Sequence, residues 1–143
     1  MENIKFWKNY FQIISYIIIG LGAFLAFLKS TPLYQPFNYI VDPAFWHAGI
    51  QNQSTITFKY FVYSLIGSCM IVWGIFLYQI IKNAFDSNKK WVWNTILITT
   101  IAWFIIDEFY SILYKVYYNA LFNAVLFVII IIPLINTKKY FTK

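Results

Sequence analysis

The sequence has no arginine, one cysteine, one histidine and five acidic residues among its 143 positions. Each scarcity closes off a class of function. A single cysteine, Cys69, excludes an intramolecular disulfide framework and any multi-cysteine metal centre. With His47 as the sole histidine, a zinc site would have to rest on scattered carboxylates. A serine hydrolase finds no histidine within an apolar segment to act as its base. No glycine-rich phosphate loop and no cofactor motif are present. Charged residues reach only 11%, against roughly 25% in soluble domains, so there is too little polar surface to solvate a globule.

What fills the chain is apolar. Hydrophobic residues make up 61% and aromatics 23%, which excludes a disordered segment. A membrane-crossing helix needs about 20 mostly apolar residues, because the hydrocarbon layer is about 30 Å thick. Four segments qualify: 9–28, 60–81, 91–113 and 116–135. Three carry no charge, and the third carries only Asp107 and Glu108. Backbone amides in lipid must be paired within their own segment, so each run is expected to be helical despite its many β-branched residues. The fold class expected is an all-α membrane protein: one four-transmembrane-helix bundle over 1–143, with a short interfacial helix in its first extracytoplasmic loop.

The lysines set the expected orientation. With a cytoplasmic amino terminus, Lys5, Lys8, Lys82, Lys89, Lys90, Lys138, Lys139 and Lys143 fall inside, while Lys29, Lys59 and Lys115 fall outside. That asymmetry follows the positive-inside rule. It predicts a multi-pass protein of the cell (inner) membrane with both termini cytoplasmic. It also assigns the net charge of +6 to membrane anchoring, with the lipid bilayer as partner and no nucleic acid. The first span lacks a small-x-small cleavage site and is expected to stay in place. Trp7, Trp91, Trp93 and the tyrosines around 110–118 lie near span ends, where amphipathic rings anchor.

The segment 29–59 is too long for a structureless connection. Pro32 and Pro36 predict extended backbone over 29–39. Asp42-Pro43 reads as an N-cap with proline in the first turn, and Gly49 as a stop. The spacing predicts a short helix over 43–48 carrying Phe45, Trp46 and His47. It serves either as an interfacial anchor or as a lid, with Trp46 and His47 the lid candidates.

Asp107 and Glu108 are the costly residues, since a carboxylate in mid-span costs roughly 2.5–3.5 kcal/mol on insertion scales. The stripe through Asp107 holds Thr100, Trp103, Ser111 and Tyr114, which places Asp107 inward. Glu108, about 100° around the helix, is expected to turn toward Lys115 or the interface. Counting depth at about 1.5 Å per residue pairs Asp107 with Asn123 and Ser111 with Asn119. The group Asp107, Ser111, Asn119, Asn123 and Trp103 therefore has two readings: a ligand or proton site in the outer half, or a polar clasp holding the last two spans. Small residues at Gly22 and Ala26, and at Ser64, Gly67, Ser68 and Gly74, have two readings: close helix packing, or room beside Asp107 for water or a ligand. Pro133 is expected to bend or end the last span.

The stretch from Trp103 to Ile135 resembles the closing pair of spans in small bacterial four-helix membrane proteins of unknown function, DoxX-like in size and layout. Asp107, Ser111, Asn119, Asn123, Pro133 and Leu134 carry the likeness. The bend here is Tyr114-Lys115-Val116, where that pattern has a small residue. The resemblance implies the architecture and brings no activity. The function expected is a non-enzymatic accessory or hydrophobic-ligand-binding module, with a homo-oligomer or another membrane protein as candidate partner. The alternatives are a membrane enzyme using Asp107 or Glu108 as acid or base on a hydrophobic substrate, and an oligomeric ion or proton conductor.

Overall fold

The computed structural model describes residues 2–46 and 52–142, without the side chains of Glu2, Asn3, Phe37 and Ile40. His47 and Gly49 lie outside the described residues. Five α-helices follow in order: α1 (Glu2–Phe27), α2 (Gln35–Phe45), α3 (Gln53–Ala84), α4 (Lys90–Leu113) and α5 (Tyr117–Thr137). Short 3-10 turns stand at Pro32–Tyr34, Phe85–Ser87 and Lys138–Tyr140. There is no strand among the described residues. Helices α1, α3, α4 and α5 are each long and apolar enough to cross a membrane.

The bundle is built from two antiparallel hairpins. In the first, α1 and α3 approach until backbone touches backbone. A Cβ added to Gly67 would lie 2.5 Å from the Gly22 carbonyl oxygen, and one added to Gly22 would lie 2.7 Å from that of Gly67. Gly74 is filled in the same way by Ile19 and the Ser15 carbonyl. The small-residue stripe thus works as a packing seam, although Ser68 faces outward. The second hairpin joins α4 to α5 through the turn at 114–116. Phe104 stacks on Phe127 at 4.1 Å between them, and the Trp93 indole N–H donates to the Leu134 carbonyl at 2.7 Å.

The two hairpins share a core at the end that carries both termini. Phe11, Ile14, Ile18, Leu77, Ile81, Phe85, Val92, Ile96, Ile130, Leu134 and Phe141 pack there in one cluster. Midway along the bundle, Trp73 of α3 meets Trp103 of α4 at 5.5 Å. Pro133 does not end α5, which continues to Thr137. Lacking an N–H, it leaves the Ile129 carbonyl one turn earlier without its helical donor. The Tyr10 hydroxyl of α1 donates to that carbonyl at 3.0 Å, so the proline opens a bonding site that α1 fills.

Two expectations for 29–59 are corrected. Pro32 and Pro36 do not hold the chain extended; Pro32 opens a 3-10 turn and Pro36 stands in the first turn of α2. Proline fits there because the first-turn N–H groups lack helical partners anyway. The helix is therefore longer and earlier than 43–48, and Asp42-Pro43 lies inside it near its end. Helix α3 likewise begins seven residues before the expected span, with the Asn52 side chain accepting from the Ser54 N–H at 2.8 Å as its cap.

Candidate functional site

The turn between α4 and α5 positions the acidic group. Lys115 takes a left-handed conformation with φ 60°. Its N–H donates to the Ile112 carbonyl at 3.0 Å, and the Val116 N–H donates to the Ser111 carbonyl at 2.8 Å. This crossed pair is the Schellman motif that closes a helix C-terminus, with lysine in the place glycine usually takes. Because α5 starts two residues later, Asn119 falls in its first turn, beside the last two turns of α4.

Asp107, Ser111 and Asn119 form one hydrogen-bonded group. The Asn119 amide donates to Asp107 Oδ1 at 3.0 Å and to Ser111 Oγ at 2.7 Å. The Ser111 hydroxyl turns back to the Asp107 carbonyl oxygen at 2.7 Å. Ser111 is buried, while Asp107 and Asn119 are half-buried. The expected pairing by depth is therefore half corrected: Ser111 meets Asn119, but Asp107 meets Asn119 and not Asn123. Counting assumed one partner per rung, whereas an amide NH2 carries two hydrogens and can bridge two acceptors one turn apart.

The remaining candidates lie elsewhere. Asn123 is buried at 3% exposure, and its Nδ2 has no hydrogen-bond partner among the described residues. Glu108 does not reach Lys115; its Oε2 is buried without a partner among the described residues. The helical register that would align them stops at Leu113, and Lys115 belongs to the turn. Trp103 meets Trp73 of α3 at 5.5 Å and takes no part in the Asp107 hydrogen bonds among the described residues. Trp46 packs on Phe45 at 5.6 Å next to the end of α2. An open groove of about 420 Å³ along α3 is lined by Ser68, Cys69, Val72, Trp73 and Phe76. A hollow of about 30 Å³ lies between α3 and α4. Asp107 lines neither.

A second polar group was not anticipated. Lys59, 7% exposed, lies on α3 beneath α2. Its ammonium donates to both carboxylate oxygens of Asp42, at 3.0 and 2.9 Å, and to Asn38 Oδ1 at 3.0 Å. Tyr34, fully buried, stacks on Phe24 at 5.2 Å and meets Tyr63 at 5.6 Å beside this pair. Burial first, then the neighbouring Tyr63 and Asp42, raises the Tyr34 hydroxyl pKa well above its ordinary value. The helical spacing of Asn38 and Asp42 was a signal that could have revealed the group, had α2 been placed correctly.

No family model, curated protein or solved structure matches this chain. Its chemistry is therefore read from its own geometry.

Proposed function

We propose that the chain is a small, non-enzymatic integral membrane protein that crosses the cell membrane four times, with both termini cytoplasmic. In this reading Asp107, Ser111 and Asn119 are a polar clasp that keeps α4 against α5 in the outer half of the membrane, and α2 lies at that same extracytoplasmic face as an interfacial anchor. The observation that carries it is the engagement of Asp107 by the neighbouring helix at 3.0 Å, together with the exposed apolar faces. Between 17 and 33% of each apolar span window is buried inside the protein. The remainder would be unsustainable in water and is suited to acyl chains. The DoxX-like layout is compatible with this role and adds no reaction to it.

Thermal unfolding of the purified chain in detergent tests the clasp. Asp107→Asn keeps an acceptor for Asn119 and should change stability little. Asp107→Leu leaves one of the two Asn119 amide hydrogens without its acceptor while the bond to Ser111 remains, and should cost about 1 kcal/mol, the usual net worth of one hydrogen bond. Adding Asn119→Leu should restore part of the loss. A stable Asp107→Leu protein removes the clasp.

One observation favours the second reading, a hydrophobic ligand with a single polar group. The unpartnered Asn123 Nδ2, one turn deeper than the clasp, would donate to such a ligand's oxygen. Asn123→Leu separates the two: a structural clasp tolerates it, whereas ligand retention would be lost.

A further inference from the structure

The end of the bundle that carries the termini gathers charge that its own fold leaves unpaired. Among the described residues, seven lysines (Lys5, Lys8, Lys82, Lys89, Lys90, Lys138 and Lys139) stand there against Asp86. Among the described residues Asp86 is paired with Lys8. Lys5, Lys82, Lys89, Lys90, Lys138 and Lys139 are exposed and form no ion pair among the described residues. Four of these meet at one corner. Lys89 and Lys90 open α4, and Lys138 and Lys139 follow α5. Trp93 ties the two ends together, bonding to Leu134 and lying 5.6 Å beneath the Lys138 ammonium. Lys89 and Lys90 also stand at the positive end of the α4 dipole, where a cation is the wrong sign. The corner therefore accumulates positive potential that no acidic side chain among the described residues pairs with.

We propose that this corner is a binding surface for anionic phospholipid headgroups, centred on Lys89, Lys90, Lys138 and Lys139. The inference rests on the membrane reading above and specifies which lipids that membrane presents. Exposed Trp91 and half-buried Trp93 flank the lysines, and such rings settle at the headgroup level. Lysines on the rim of apolar helices face lipid phosphates directly, where each basic residue gains an appreciable electrostatic attraction. The absence of arginine fits a diffuse surface, since lysine acts as a mobile point charge and not as a fixed bidentate fork. A free phosphate would need a concave, preorganised cradle, whereas these lysines spread from separate helix ends.

The test uses the full chain reconstituted in vesicles of phosphatidylcholine with a minority of phosphatidylglycerol. Lipids retained on the extracted protein are counted by mass spectrometry. We expect phosphatidylglycerol to be enriched, and the enrichment to fade between about 0.1 M and 1 M salt as the screening length falls from about 10 to about 3 Å. Changing all four lysines to glutamine should reduce it at least tenfold, at up to about fivefold per lysine. The same change at Lys29 and Lys115, at the other end, should leave it intact. Equal enrichment in the four-lysine variant overturns the proposal, as does equal loss in the control. Displacement by inorganic phosphate beyond that by chloride at equal ionic strength also overturns it, since the site would then serve a free anion. A chain released from membranes by alkaline carbonate overturns the membrane reading together with this one. A chain that stays inserted without lipid preference overturns this one alone.

Discussion

Replacing Tyr10 by phenylalanine removes one hydroxyl and exposes what Pro133 does to α5. The Ile129 carbonyl lies eight residues from the end of its helix, roughly 12 Å along the axis. Pro133 cannot donate to it, and the Tyr10 hydroxyl does so at 3.0 Å. In water the lost bond would be replaced by solvent, and the change would cost a few tenths of a kcal/mol. In an apolar surround no replacement donor exists, so the variant should lose about 1–3 kcal/mol, the penalty for an orphaned polar group. The decisive arm is the double-mutant cycle. A Pro133→Ala background restores a backbone N–H at that position, which can bond the Ile129 carbonyl in the ordinary helical way. Tyr10→Phe should then cost about 0.5 kcal/mol or less. Chemical or thermal unfolding of the four proteins in the same micelle gives the coupling, expected at about 1 kcal/mol or more. Additive effects would refute the reasoning, because they would mean that tyrosine and proline do not share that carbonyl.

Glycine-to-alanine substitution takes opposite signs inside the α1–α3 seam and outside it. Gly67→Ala must part the helices by about 0.7–0.9 Å to bring 2.5–2.7 Å contacts to the 3.4 Å of ordinary packing, costing about 1–3 kcal/mol. Gly20→Ala meets nothing within 4 Å and should gain about 0.5–1 kcal/mol from helix propensity; unfolding midpoints compare the two. Lys115→Gly relieves a left-handed lysine at φ 60° and should stabilise by about 1 kcal/mol, read by the same assay. Asp42→Asn leaves the Lys59 ammonium buried without its counter-ion and should cost about 3 kcal/mol. Limited proteolysis within α2 should accelerate in that variant, and Lys59→Met with Asp42→Leu should slow it again.

The four long helices were legible because apolar runs of fixed length have few other structures open to them. The last hairpin was also legible, since the two residues between the expected spans, 114 and 115, cannot connect distant helices. The pairing inside it was not, because a depth count knows nothing of the two hydrogens on the Asn119 amide. Helix α2 was misplaced for a related reason. Asp-Pro fits a helix start and also fits the last turns of a helix that a different proline has already opened. Only the contact between Asp42 and Lys59, seventeen residues apart, decides between them. Pro133 by itself predicts a bend or stop, and the hydroxyl that takes up the carbonyl it frees belongs to Tyr10, 119 residues away from that carbonyl along the chain. Local patterns thus identified the elements, while the polar contacts that fix their register are long-range.

The most direct test of the account counts membrane crossings with an impermeant maleimide. With Cys69 replaced by serine, single cysteines are placed at Asn52, before α3, at Asn83 in the last turn of α3, and at Thr142 beyond α5. One crossing separates the first two positions, and two separate the second from the third. Intact cells should label position 52 alone, with 83 and 142 labelled after the membrane is opened. Labelling of 52 and 83 from the same side, or of 83 and 142 from opposite sides, would contradict a chain that spans the bilayer four times.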